Sequence, residues 1–219
     1  MYIIIGGGGE VGYYLTRNLL DLGHEVLLLE KNNGRYQTLS EELGQSIIKG
    51  DACEARTMEE AGIRRADVVI SVTGEDEDNL VICQLAKKRY NVKRTIARLN
   101  NPKHEQLFQK LGIDITVSPT RSILSLVASE LPGSRFVQLM TLRRAGLEIL
   151  EMSISPSSSV VNNTLGQVRL PRRCTLALII RGDESIFPSS DTVLRAGDEV
   201  YALVNREGEE ELRTIFGAR

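Results

Sequence analysis

Tyr2-Ile3-Ile4-Ile5-Gly6-Gly7-Gly8-Gly9-Glu10-Val11-Gly12 sets a short apolar run directly before a glycine-rich turn and the start of a helical pattern. The spacing G-x-G-x-x-G closes in one register only, Gly7, Gly9 and Gly12, because a start at Gly6 puts Val11 where the third glycine belongs. In that motif the first glycine makes the tight turn, the second lets the backbone approach a pyrophosphate, and the third lets helix and strand pack closely. The helix that opens there presents its free N–H groups to an anion. Glu30 ends the next apolar run 18 residues after Gly12, near the roughly 20-residue offset of the acid that accepts hydrogen bonds from an adenosine ribose. A carboxylate at that position favours a free 2′-hydroxyl over a 2′-phosphate.

Outward from the turn, short Ile- and Val-rich runs alternate with segments of helical period: Tyr2–Ile5, Glu25–Glu30, Ser46–Ile48, Asp67–Val72, Arg94–Arg98 and Asp114–Val117. Repeated β-α units predict a Rossmann-like, doubly wound parallel sheet covered on both faces. Asp21-Leu22-Gly23 and Ala61-Gly62 are helix stops, and Asn101-Pro102 is a helix start. After about residue 120 the pattern changes. Ser122–Leu131 is an apolar helix broken by Pro132-Gly133. Strands then follow at Phe136–Leu142, Leu147–Ile154, Cys174–Arg181 and Glu199–Val204, with turns at Ala145-Gly146 and Gly182-Asp183 and a last helix over Glu207–Phe216. The expected organisation is a nucleotide-binding domain over 1–134 that includes the apolar helix, and a smaller α+β domain over 135–219.

Composition narrows the class. With 42% hydrophobic and 26% charged residues the 219-residue chain is globular. Its 27 basic against 29 acidic residues give a net charge of −2, without the positive excess that a phosphate-tracking surface needs, which argues against a nucleic-acid partner. Cys53, Cys83 and Cys174 show no C-x-x-C spacing and are odd in number, as expected of thiols in a reducing compartment. No apolar run approaches the roughly 20 residues of a membrane helix, and Met1 leads into a strand without a basic leader. The expected location is therefore cytoplasmic.

Two further strand ends project over the same sheet edge as Gly7–Gly12. Gly50-Asp51-Ala52 follows the third strand, where Asp51 and Ala52 could border an adenine, and Val72-Thr73-Gly74 follows the fourth, near the phosphates. Both are also ordinary turn chemistry. Lys31 and Asn32 could add a ribose or phosphate contact, and Arg98, closing the fifth strand, could reach a phosphate or be a surface arginine. The acids of Glu75-Asp76-Glu77-Asp78-Asn79 are explained by the dipole of the helix they begin, so no metal site is assigned. His24 reads as a turn residue and His104 as a helix-start residue; no G-x-S-x-G, H-E-x-x-H or Cys–His signature occurs. A nucleotide site without a chemical site points to a sensor rather than an enzyme. The alternatives are a small NAD-dependent oxidoreductase, motivated by the same glycines, and a regulator of a different transporter.

The glycine run through Gly12, Glu30, Gly50-Asp51-Ala52, Ala61-Gly62-Ile63, Asp67–Thr73 and Asp76 with Asn79 resembles the RCK proteins, the TrkA/KtrA-like cytosolic regulators of potassium uptake systems and channels. The second half is similar to that family's C-terminal domain at Leu165-Gly166, Leu170-Pro171, Ala177–Gly182 and Asp191–Val200. The resemblance implies an N-terminal domain that binds NAD(H), ADP, ATP or AMP. It implies homo-oligomers, dimers often assembled into rings, docked on the cytoplasmic face of a membrane-embedded potassium transporter or channel subunit. It also implies a second domain that takes an effector or contributes a dimer interface. Carried over, Gly7, Gly9 and Gly12 cradle phosphates, Glu30 holds ribose, Asp51 and Ala52 border adenine, and Thr73 and Arg98 lie by ribose or phosphate; Gly8, Glu10, Val11, Lys31 and Gly74, their neighbours in sequence, complete the candidate binding set. Some members that favour ATP have arginine where Glu10 stands; a carboxylate there would repel a γ-phosphate, which favours NAD or ADP. Thr120 stands where some members place an acidic divalent-ion ligand, a departure that argues against a metal.

Overall fold

In the computed structural model, residues 1–129, 136–142 and 145–217 are described. The chain divides into two compact units, Met1–Arg121 and Ser122–Arg219. The division falls immediately before Ser122, where the sequence starts the apolar helix placed at the end of the first domain. That helix spans Pro119–Ser129, and the expected break at Pro132-Gly133 lies outside the described residues.

The first unit is a six-stranded parallel sheet. Its strands are β1 (Tyr2–Gly6), β2 (Glu25–Glu30), β3 (Ile47–Lys49), β4 (Val68–Ser71), β5 (Arg94–Arg98) and β6 (Ile115–Val117), in the order β3-β2-β1-β4-β5-β6. Successive side chains on a strand face opposite ways, which explains the unbroken apolar runs. Ile4, Leu29 and Val69 pack on one face with Met58 and Ile82, while Ile3, Ile5, Leu28 and Ile70 pack on the other with Tyr13, Leu39 and Leu43. The covering helices are α1 (Glu10–Asp21), α2 (Asn33–Leu43), α3 (Ala55–Glu60), α4 (Asp76–Gln84, continued by a π-helical turn over Leu85–Arg89) and α5 (Glu105–Lys110). Gly23 and Gly62, both at positive φ, follow the ends of α1 and α3 as expected. Because β1 pairs with β2 on one side and β4 on the other, the chain reverses direction across the sheet at the carboxyl end of β1. That edge is where open α/β sheets bind ligands.

The helix Pro119–Ser129, here α6, leads from this sheet toward the second unit's strands: β7 (Phe136–Leu142), β8 (Leu147–Ser153), β9 (Cys174–Arg181), β10 (Glu184–Ile186) and β11 (Glu199–Asn205). They form an antiparallel sheet in the order β10-β9-β11-β8-β7. Alternate residues of β8 and β11 are buried, and Leu212 and Phe216 of α7 (Glu209–Phe216) join that core. The hairpin turn Gly182-Asp183 is present, with Gly182 at positive φ and Arg181 facing Glu184 across it. Its return strand β10 is an edge strand of three residues, too short to show alternation. The last helix starts two residues later than expected, after a 3₁₀ turn over Arg206–Gly208.

Candidate functional site

A cleft of about 300 Å³ opens at the carboxyl ends of β1 to β5. Gly7, Gly8, Gly9, Glu30, Lys31, Asp51, Ala52, Thr73, Gly74 and Arg98 line it, so ten residues singled out in sequence from five strand ends meet in one place. Glu10, Val11 and Gly12 do not line it; they form the first turn of α1 behind the glycines.

The glycines differ in what they permit. Gly7 sits at φ +108°, and a Cβ there would lie 3.0 Å from the Thr73 backbone nitrogen, so the turn needs glycine for both conformation and space. A Cβ at Gly12 would lie 1.9 Å from the Gly7 carbonyl oxygen, which is the close helix–strand approach expected of the third glycine. A Cβ at Gly9 would meet nothing within 4 Å. Gly9, which has no side chain, caps α1 without a side-chain hydrogen bond to the first-turn N–H groups, which suits those donors to a ligand or solvent.

Glu30 is 9% exposed and fastens two loops: Oε2 accepts from the Gly8 N–H at 2.8 Å and Oε1 from the Asn32 N–H at 2.5 Å. It therefore holds the phosphate turn against the end of β2, while each carboxylate oxygen keeps a lone pair for a ribose hydroxyl. Lys31 Nζ pairs with Asp78 Oδ2 at 3.0 Å and lies 3.9 Å from Asp51 Oδ2, bridging two walls of the cleft. Its hydrogen bond with Asp78, then the charges of Asp78 and Asp51, raise its pKa. Asp51 Oδ1 accepts from the Cys53 N–H at 2.8 Å. Burial, followed by the nearby Asp51 and Asp78 charges, pushes the Cys53 thiol up to about 12.

The far wall is organised by Asn79, which is 0% exposed. Its Oδ1 accepts from the Thr73 N–H at 2.8 Å and its Nδ2 donates to the Arg98 carbonyl at 3.1 Å, tying the ends of β4 and β5 together. Arg98 Nε is buried and has no hydrogen-bond partner among the described residues. A buried guanidinium N–H without an acceptor is costly, and Arg98 as a residue also lines the cleft. Asp76, 6% exposed, accepts from the backbone of Asn100 (2.7 Å) and Asn101 (3.0 Å) and from His104 Nδ1 (2.8 Å). Burial alone would raise its pKa, but these donors together hold it below the usual carboxylate range. His104, expected only to start a helix, thus helps to fix this loop.

Leu29, Ile82 and Asp78 also line the cleft and were not singled out as ligand contacts. Asp78 and Ile82 are one helical turn apart on α4, so a reading of helix faces could have paired them. Arg35, whose Nε donates to the Gly8 carbonyl at 2.9 Å, carried no sequence signal. Among the described residues no group of three or more His, Cys, Asp or Glu is placed to hold a metal ion, and no helix is long and apolar enough to cross a membrane.

Residues 3–119 match the TrkA-N domain model and residues 149–217 the TrkA-C domain model. The chain is 36% identical over 216 residues to the Trk system potassium uptake protein TrkA homolog of Methanothermobacter thermautotrophicus, covering 99% of each protein. It is 33% identical over 217 residues to the Trk system potassium uptake protein TrkA of Mycobacterium tuberculosis, covering 99% of this chain and 98% of that one. Among solved structures, the GsuK channel bound to NAD superposes with a TM-score of 0.53 at 20% identity, over 100% of this chain and 39% of that one. That similarity concerns the fold.

Proposed function

Because the chain belongs to the TrkA family, with a TrkA-N domain followed by a TrkA-C domain, we propose that it is a cytoplasmic, nucleotide-sensing regulatory subunit. It binds NAD(H) or an adenine nucleotide (ADP, ATP or AMP) and gates a potassium transporter or channel in the adjoining membrane, working as a homo-oligomer. The observation that carries the reading is an uncapped helix N-terminus behind Gly7–Gly9 in a cleft that Arg98 also lines. Together they make a site for the phosphates of a nucleotide.

The remaining walls suit the rest of such a ligand. Glu30 faces the place of a ribose diol, and Ala52 with Ile82 offers an apolar slot beside Asp51 for an adenine. Glu30, Asp51 and Asp78 are engaged in holding the cleft's own loops through Gly8, Asn32, Cys53 and Lys31. That favours binding over acid–base turnover. A bound nucleotide shifts the assembly only by its differential affinity for two arrangements, and a coupling of ~1–3 kcal/mol would change gating about 5–150-fold.

Calorimetric titration with NAD, NADH, ADP, ATP and AMP, with Gly9→Asp and Glu30→Ala alongside, tests the ligand. Selective binding that both substitutions abolish is expected; no binding to any of the five overturns it. Co-purification with a membrane pore subunit and nucleotide-dependent potassium flux test the partner. Flux indifferent to removal of this protein would count against the regulatory role.

A further inference from the structure

We infer that Asn100 is a positioning residue that reports occupancy of the cleft to the first turn of α6; this rests on the nucleotide reading of the cleft. Asn100 follows β5 and does not line the cleft, but its side chain and its carbonyl point to opposite destinations. On one side Nδ2 donates to the Gly74 carbonyl at 2.9 Å, within the Thr73-Gly74 wall. On the other, the Asn100 carbonyl accepts from Thr120 Oγ1 at 2.8 Å, in the first turn of α6.

The residue is held so that it transmits displacement instead of absorbing it. Its backbone N–H and its Nδ2 both bond Asp76 Oδ1, at 2.7 and 3.1 Å, while Asp76 Oδ2 takes the Asn101 N–H and His104 Nδ1. Asp76 is thus an almost buried hub that fixes the loop after β5 to the start of α4, and the loops after β4 and β5 move as one piece. A phosphate or ribose contact at Thr73-Gly74 changes the position of the Gly74 peptide. The Asn100 amide follows it, and the Thr120 hydroxyl follows the Asn100 carbonyl. Thr120 lies at the end of the first unit and α6 continues past the division at 121/122, so the contact stands where the first unit's ligand state can reach the chain leading to the second. Thr120 is exposed, and its hydroxyl can be removed without opening a cavity.

The test is amide hydrogen exchange on the full-length chain, without ligand and with saturating NAD, ADP or ATP, for the wild type, Thr120→Val and Thr120→Ser. Calorimetry on the same samples measures affinity. In the wild type, ligand is expected to change exchange in the first two turns of α6 at least threefold. Thr120→Val should bind with a Kd within twofold of wild type yet lose that response, and Thr120→Ser, which keeps the hydroxyl, should restore it. Retention of the response in Thr120→Val overturns the inference, as does a wild type that binds with α6 unchanged. A wild type that binds none of the three probes fails at the calorimetric step, which overturns the nucleotide reading itself and the relay with it. Asn100→Ala provides a second variant: binding with a silent α6 supports the relay, and binding with an unaltered α6 response overturns it.

Discussion

Glu10 and Arg35 form an ion pair on the outer side of the glycine turn, Arg35 Nη2 to Glu10 Oε1 at 2.7 Å, while Arg35 Nε holds the Gly8 carbonyl. A bare carboxylate at position 10 would repel a third phosphate; a paired one presents little net charge. On the nucleotide reading proposed above, discrimination between ADP and ATP should depend on the pair. Glu10→Gln should leave Arg35 as a free cation beside the turn and raise the preference for ATP over ADP about threefold at low salt, and Arg35→Gln should lower it by a similar factor. Calorimetric Kd ratios at low and physiological salt check this. A ratio unmoved by both substitutions would show that the pair lies outside the ligand's reach.

Gly9 and Gly12 should separate binding from folding. Gly12→Ala forces a Cβ to within 1.9 Å of the Gly7 oxygen, so helix and turn must part, at a cost of about 2–3 kcal/mol. Gly9→Ala meets open space at an ordinary φ of −65° and should change stability by less than ~0.5 kcal/mol, while its methyl group stands where a pyrophosphate would approach. Urea denaturation together with nucleotide titration resolves the two. Equal destabilisation by both would mean that the turn's geometry differs from that described.

The parallel sheet was legible because its strands are buried on both faces, which makes Tyr2–Ile5 and Asp67–Val72 stand out as continuous apolar runs. Gly12 and Glu30 were legible because a fixed spacing links them. What escaped was set by distance in sequence: Arg35 is recognisable through Gly8 and Glu10, and Asn100 through Gly74, Asp76 and Thr120. Asp76 and Asn79 entered through the acidic run that opens a helix and through family likeness, and their roles came from burial and from hydrogen bonds distant in sequence, which local pattern does not reveal. In the second unit the strands were visible, but the insertion of β11 between β9 and β8 was not, since antiparallel partners distant in sequence are chosen by side-chain packing. The edge strand β10 was too short to register.

The thiols should be unreactive in the folded chain. Burial pushes Cys53 up to about 12, with the Asp51 and Asp78 charges adding to it, and Cys83 and Cys174 up to about 11. Because the thiolate is the nucleophile, iodoacetamide at pH 7.5 should label all three far more slowly than an unfolded control. Cys53 stands beside the cleft, so its labelling should slow further with bound nucleotide. Rapid labelling of the native protein would contradict this burial.

Arg181 and Asp198 anchor the second unit. Asp198 is 1% exposed; its Oδ1 accepts from Arg181 Nε and its Oδ2 from Arg181 Nη2 and the Arg195 N–H, each at 2.8 Å. Burial alone would raise the Asp198 pKa, but the Arg181 fork and the Arg195 N–H carry it below its ordinary value. A carboxylate with a lower pKa folded than unfolded stabilises the fold above its unfolded pKa, about 3.9, and that contribution is lost as pH falls through the folded value. Arg181→Ala leaves the buried charge with the Arg195 N–H but without its cation and should cost about 3 kcal/mol at pH 7. Without the Arg181 fork the variant's Asp198 takes up its proton at a higher pH than the wild type's, so the gap to wild type should narrow as pH falls. Replacing both partners, as Arg181→Met with Asp198→Leu, should cost less than the single change, since no orphaned charge remains. Urea denaturation at pH 7 and pH 3 decides the matter: a gap independent of pH would mean that Asp198 is held by the Arg195 turn alone and that Arg181 contributes only packing.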